Sequence, residues 1–159
     1  MSSPEYSAED PVNLWQEVFD ELRAAYPKMN AESDPEIGRT IFYTEEKTTM
    51  GVLQYQINTY ENHIRITFYG VTPAFQQNGI SRALIARTLI QHPKVQKITA
   101  TLGASNYEPF IEMLKSGVSP YEVLELTPFY KALAALGFDM IEQNDENMIR
   151  GHFTVKRKT

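Results

Sequence analysis

The stretch Ile66-Thr67-Phe68-Tyr69-Gly70-Val71-Thr72-Pro73-Ala74-Phe75-Gln76-Gln77-Asn78-Gly79-Ile80-Ser81-Arg82-Ala83-Leu84 changes character twice. It opens with strand alternation, apolar at Ile64, Ile66 and Phe68. It crosses a short polar loop that ends at Gly79. It then takes up helical spacing at Ile80, Leu84 and Leu89, with Pro93 as the stop. This order sets a helix N-terminus just past the end of a strand. Such a terminus leaves about four backbone N–H groups without internal partners, and the aligned peptide dipoles add roughly half a positive charge. The segment therefore reads as an anion site suited to a phosphate. Gly79 removes a Cβ where a ligand must approach the backbone, Ser81 is small in the same way, and Arg82 adds charge. The loop is not a P-loop, because Gly-Lys-Ser/Thr is missing, and not a dinucleotide fingerprint, because G-x-G-x-x-G is missing. On physics alone, an ordinary helix start accounts for Gly79 as well.

Upstream, residues 1–9 read as a loose tail. A helix follows, with Asp10 as cap and Pro11 at its first position. Leu14, Trp15, Val18, Phe19 and Leu22 form one apolar stripe, and Tyr26-Pro27 ends it. Residues 28–36 are polar and read as a loop. Strands are expected over 37–43, 50–58 and 63–71, joined as antiparallel hairpins. Downstream, 95–102 reads as a strand. Asn106 can cap a helix containing Phe110, Ile111 and Leu114, with Gly117 past its end. Ser119-Pro120-Tyr121-Glu122 has capping-box form, and Thr127-Pro128 opens a further helix that Gly137 closes. Strands 138–143 and 148–156 finish the chain around the turn 144–147. Helices thus interrupt a mostly antiparallel sheet, an α/β (α+β) arrangement with mixed strand directions. One domain over 10–159 is expected.

The chain has 159 residues, a formal net charge of −5 and no cysteine. A domain of this size can bury about 70% of the surface its unfolded chain exposes and needs no covalent staple. Disulfides, thiolate metal sites and cysteine nucleophiles are excluded. The acidic balance disfavours nucleic acid and favours cationic partners. The basic run Lys156-Arg157-Lys158 reads as a solvated tail. Residues 1–10 lack the apolar run of a secretory signal, and no stretch approaches the roughly 20 apolar residues of a membrane helix. A cytoplasmic protein without a metal is the expectation.

Val71-Thr72-Pro73-Ala74-Phe75-Gln76-Gln77-Asn78-Gly79-Ile80-Ser81 resembles the coenzyme A motif of the GNAT family of N-acetyltransferases. That motif is Gln/Arg-x-x-Gly-x-Gly/Ala after a strand ending in Val-x-Pro. Gln76 and Gly79 match; Ser81 stands where Gly or Ala is usual. Phe129-Tyr130 followed by Gly137-Phe138 resembles the family's Phe/Leu-Tyr-x-x-x-Gly-Phe segment, with additional residues before the Gly-Phe. The order of elements from 10 to 156 suits the family too.

The resemblance implies acetyl-CoA as acyl donor, held by Val71, Gln76, Gln77, Asn78, Gly79, Ser81 and Arg82. The end of the strand around Tyr69, Gly70 and Val71 would pair with the pantetheine arm. It implies direct transfer to a primary amine, with Tyr130 as general acid. Asn106 matches the family Asn that contacts pantetheine, although 107–126 then reads as a helical insertion between Asn106 and Tyr130. The apolar residues of that insertion would pack locally, wall the acceptor pocket or form a homodimer face. No carboxylate stands in the interior of 63–71 to act as base. Glu61, Glu108, His63 and His92 are the nearest candidates, and His152 reads as structural. The acceptor would be a small molecule or a protein, favoured if cationic. The alternative is a non-catalytic module that binds acyl-CoA or another protein.

Overall fold

The computed structural model describes residues 11–76, 78–102, 104–142, 144, 146, 148 and 150–157, and only the backbone of 104–107. Asp10, Gln77, Asp145, Asn147 and Lys158 lie outside the described residues, and with them the helix cap assigned to Asp10. The elements are α1 (Pro11–Ala25), β1 (Asn30–Asp34), β2 (Arg39–Tyr43), β3 (Thr49–Asn58), β4 (His63–Val71), α2 (Ile80–Gln91), β5 (Lys97–Thr101), α3 (Ala104–Lys115), α4 (Pro120–Glu125), α5 (Pro128–Ala135), β6 (Met140–Ile141) and β7 (His152–Lys156). The strands form a seven-stranded sheet in the order β1-β2-β3-β4-β5-β7-β6. The pairs β1–β2, β2–β3, β5–β7 and β6–β7 are antiparallel and β4–β5 is parallel, as expected of a mixed, mostly antiparallel sheet with helices. Among the described residues, no helix is long and apolar enough to cross a membrane.

The chain forms two compact units. The first comprises residues 11–55 and 68–94. Here the α1 stripe buries Trp15, Phe19 and Leu22, and α1 packs along α2. Phe19 meets the Phe42 ring at 5.8 Å, and the Arg23 and Arg87 guanidinium groups both lie over its ring. α2 buries Ile80, Ala83, Leu84, Ile85, Ala86, Thr88 and Leu89, so most of its circumference is covered. Its one buried hydroxyl is satisfied twice: Thr88 Oγ1 donates to Leu84 O and sits 2.7 Å from Thr40 Oγ1.

The expected loop over 28–36 contains β1 instead. Its residues Asn-Ala-Glu-Ser-Asp lack apolar alternation because β1 is an edge strand, hydrogen-bonded to β2 alone. The turn that joins the two strands accounts for their pairing. Asp34 Oδ1 accepts from the Glu36 and Ile37 amides, and Asp34 O accepts from Gly38 N–H. Gly38 has φ +78°, and a Cβ there would overlap the Tyr55 carbonyl oxygen.

The second unit comprises residues 56–67 and 95–157. Ile64, Ile66, Ile98, Ala100, Phe153 and Val155 alternate along β4, β5 and β7 and are buried. Phe129 of α5 meets Phe153 of β7 edge-on at 5.9 Å. Ser119 Oγ accepts from Glu122 N–H and Thr127 Oγ1 accepts from Tyr130 N–H, so both expected caps form. Asn106 does not cap α3, because α3 begins at Ala104 and Asn106 falls inside its first turn. The last two strands are shorter than the expected 138–143 and 148–156. Met148 N–H bonds Asn144 O in a helical turn, which consumes residues read as strand.

Gly38→Ala should lower the melting temperature by at least roughly 2–4 °C, since both the left-handed backbone and the Tyr55 carbonyl oppose a side chain. A melt indistinguishable from wild type contradicts the hairpin geometry. A second expectation concerns His92. Its Nε2 lies 2.8 Å from the Tyr55 hydroxyl, and burial holds the imidazole below its ordinary value of 6.5. The unfolded chain therefore binds more protons than the folded one as pH falls below 6.5. Stability from this group is present above that value and is lost as pH falls through the lowered one. Melting temperature should rise between about pH 5 and 7, and His92→Gln, which keeps a partner for Tyr55 but cannot titrate, should flatten that rise.

Candidate functional site

The expected anion loop lies wholly in the first unit. Thr72 anchors its start: its N–H donates to Met50 O at 2.9 Å and its Oγ1 to Thr49 O at 2.6 Å. Pro73–Phe75 form a single 3₁₀ turn. Gln76 folds back, and its Nε2 donates to Val71 O at 3.2 Å. Asn78 Nδ2 donates to the Tyr26 hydroxyl at 3.1 Å. Gly79 is the N-cap of α2, with φ 80° and ψ 12°, and no side chain caps the helix. A Cβ on Gly79 would meet nothing within 4 Å, so the space before the helix is open.

The first helical bond runs from Ala83 N–H to Gly79 O. The N–H groups of Ile80, Ser81 and Arg82 therefore precede the helix's own ladder. No acidic residue stands in the first turn. Arg82 is exposed and Ser81 half-buried, while Ile80 and Leu84 point inward. Those two side chains lie over Gly51 of β3, where a Cβ would come within 2.7 Å of Ile80 Cγ2, 3.0 Å of Leu84 Cδ1 and 3.3 Å of Gly70 O. Only a glycine lets the first turn of α2 sit this close to β3. Sequence reading singled out neither Gly51 nor Thr72, and it used Tyr26 only as a helix end.

The remaining candidates lie in the second unit. The parallel pairing runs from His63↔Lys97 to Arg65↔Thr99. Ile66 and Thr67 continue β4, and Ala100 and Thr101 continue β5, without being paired to one another. Tyr130 is 8% exposed, and its hydroxyl donates to Asp139 O at 2.7 Å. Burial first, then the charges of Glu125 and Asp139, hold its phenol above the ordinary 10.0. Asn106 lies in the first turn of α3.

The candidate bases are engaged or exposed. His63 Nε2 is 2.6 Å from Thr99 Oγ1, which is 2.7 Å from Thr154 Oγ1. Burial, reinforced by Lys97, holds His63 below its ordinary value. His152 Nδ1 is 2.6 Å from Thr101 Oγ1. Glu61 is exposed and accepts from Asn58 Nδ2 at 3.4 Å. Glu108 is exposed on α3. The structure thus gathers Val71, Gln76, Asn78, Gly79, Ser81 and Arg82 into one loop and helix start, and it carries Tyr130 and Asn106 on separate helices.

No curated protein matches the chain. Among solved structures, the GNAT-like decarboxylase GphF in complex with isobutyryl-CoA aligns over 89% of this chain and 94% of its own, at 12% identity and a TM-score of 0.53. Spermidine N-acetyltransferase from Vibrio cholerae, a dodecameric structure, aligns over 91% of this chain and 71% of its own, at 15% identity and a TM-score of 0.40. Nourseothricin acetyltransferase aligns over 74% of this chain and 61% of its own, at 12% identity and a TM-score of 0.39. The likeness to GphF is one of fold. The model of the Acetyltransferase (GNAT) family matches residues 4–109, which include β4, the loop and α2, and the chain belongs to that family.

Proposed function

We propose that the chain moves an acetyl group from acetyl-CoA directly to a primary amine of a small molecule or a protein. The observation that carries this reading is the start of α2: an uncapped helix with open space before Gly79, in a member of an acetyltransferase family. Acetyl-CoA supplies an activated acyl carbonyl and a pyrophosphate. The amides of Ile80, Ser81 and Arg82 hold the pyrophosphate, with Gln77, Asn78 and Gly79 forming the approach and the Arg82 guanidinium adding charge. Gln76 and Val71 shape the loop through their mutual hydrogen bond. Beyond Arg65↔Thr99 the strands β4 and β5 are not paired to one another, which supports a place for the pantetheine arm, whose amides would take the ladder positions open there. A main-chain N–H at that place stabilises the oxyanion as the amine adds.

Tyr130 serves as general acid toward the leaving sulfur. Its raised value keeps the proton on the phenol through the neutral range. Water takes the amine proton, since the expected bases Glu61 and Glu108 are exposed and His63 and His92 are engaged with Thr99 and Tyr55. Asn106 supports the pantetheine, and the segment 107–126 is an insertion that walls the acceptor side. The surplus of acidic residues favours a cationic acceptor.

A second reading, a non-catalytic acyl-CoA module, is favoured by one contact: the Tyr130 proton is already committed to Asp139 O. The fold also carries a decarboxylase in GphF, so fold alone does not choose the reaction.

Calorimetry with acetyl-CoA should give saturable binding, and Gly79→Glu should weaken it at least tenfold, about 1.4 kcal/mol. The substituted side chain enters open space but strains the left-handed backbone at φ 80°, so melting temperature is measured beside affinity, and a loss of binding beyond that of Gly79→Ala reports on the ligand. Absence of binding by the wild type rejects the donor. Tyr130→Phe should lower turnover by roughly a hundredfold or more with the acetyl-CoA Kd unchanged. Unchanged turnover over a panel of amines would assign the hydroxyl to the Asp139 contact alone. No turnover by the wild type with any amine selects the second reading.

A further inference from the structure

We propose that Tyr26 is a positioning residue for the acyl donor: through Asn78 and Phe75 it fixes the main chain that leads into α2. The inference rests on the donor reading above and names a residue that no part of the motif contains.

Three observations meet at Tyr26. Its position is set by α1, since its N–H still donates to Leu22 O at 2.9 Å and its carbonyl accepts from Met29 N–H at 3.0 Å. Leu22 is buried, so the helix end cannot shift without disturbing the packing of α1. From this fixed point the hydroxyl accepts the Asn78 Nδ2 hydrogen bond at 3.1 Å. The Tyr26 ring also meets Phe75 edge-on, with centroids 6.0 Å apart. Both partners belong to the loop, one on each side of residues 76 and 77.

The loop needs such a hold. Its first half is tied to the body by Thr72, bonded to Thr49 and Met50, and to itself by Gln76, bonded to Val71. Among the described residues, its second half has no equivalent within the motif: Gly79 is left-handed and offers no side-chain cap. A glycine in that position is free to adopt other backbone conformations. An anion held by consecutive amides needs them aimed together before it arrives, because ordering them on binding costs affinity. The Tyr26–Asn78 contact restrains the residue immediately before that glycine. Tyr26 therefore acts on the pyrophosphate through the loop and touches no reacting atom.

The test compares two ligands on the purified full chain. CoA carries the pyrophosphate and pantetheine does not. Affinity for CoA is measured by calorimetry and for pantetheine by displacement. Tyr26→Phe keeps the ring contact and removes the hydroxyl. It should weaken CoA roughly three- to tenfold and leave pantetheine and the melting temperature unchanged. Asn78→Ala should weaken CoA by a similar factor, and the double variant should lose little more than either single one. Tyr26→Leu, which also removes the ring, should weaken CoA further.

CoA affinity unchanged in Tyr26→Phe overturns the inference. Equal weakening of CoA and pantetheine with a lower melting temperature also overturns it, since that pattern marks a purely structural tyrosine. A wild type that binds neither ligand removes the donor reading itself and this inference with it. A wild type that binds both, with indifferent variants, removes the inference alone.

Discussion

A helix that starts without a side-chain cap must find partners for its first N–H groups elsewhere, and α2 is such a helix. The contrast lies within the same chain. α4 and α5 open with Ser119-Pro120 and Thr127-Pro128, and in each the hydroxyl accepts from the amide three residues on. α2 opens with Gly79, left-handed and bare, before a space that no described residue fills. A Ser or Thr cap would offer a side-chain acceptor that Gly lacks, at a gain of only about a few tenths of a kcal/mol. Leaving the amides unmet is consistent with a site that keeps them for a ligand.

An uncapped helix start stays in place only if the rest of the helix is held firmly. α2 is held on most of its surface by apolar burial, and Thr88 fastens it to Thr40 across a buried hydroxyl pair. Its first turn is pressed onto β3, where Gly51 offers no Cβ to Ile80 or Leu84. The same strand supplies the Thr49 and Met50 carbonyls that fix Thr72. β3 thus sets both ends of the loop: the residue where it leaves β4 and the turn where it enters α2. This gives the backbone geometry of the site a cause in packing rather than in the motif itself.

What could be read from the chain beforehand divides along the same line. Local signals were legible. The stripe Trp15, Phe19 and Leu22 gave α1, the Ser-Pro and Thr-Pro starts gave α4 and α5, and the change of period at Gly79 gave the strand, loop and helix. β1 was illegible because Asn30–Asp34 has no alternation to read; its pairing depends on the Asp34 and Gly38 turn and on β2. Asn106 carried a local cap signal that the chain does not use, because α3 starts two residues earlier. Within the site, Gly79 was legible from the change of period, and Gln76 from its resemblance to the family motif. Gly51 and Tyr26 were not, since each acquires its role from residues far along the chain, Ile80 in one case and Asn78 in the other. Glycines in strands and tyrosines at helix ends are common, and their sequence neighbours do not say what packs against them.

The charge balance gains a meaning from the way the anion loop is built. On the proposed reading the protein must hold a polyanionic donor and attract a cationic acceptor. A pocket of lysines would serve the first need and oppose the second. Backbone amides at a helix start attract an anion through fixed dipoles and add nothing to the net charge. Arg82 is the single side-chain cation that α2 contributes in its first turn. On that reading the formal charge of −5 would supply a long-range field that draws amines, while the short-range dipoles would act on the phosphates. The two fields differ in reach: the first is screened over about 8 Å at physiological salt, and the second acts only in contact. Donor affinity built this way depends on the aim of three amides more than on charge, so the hold on the loop governs it.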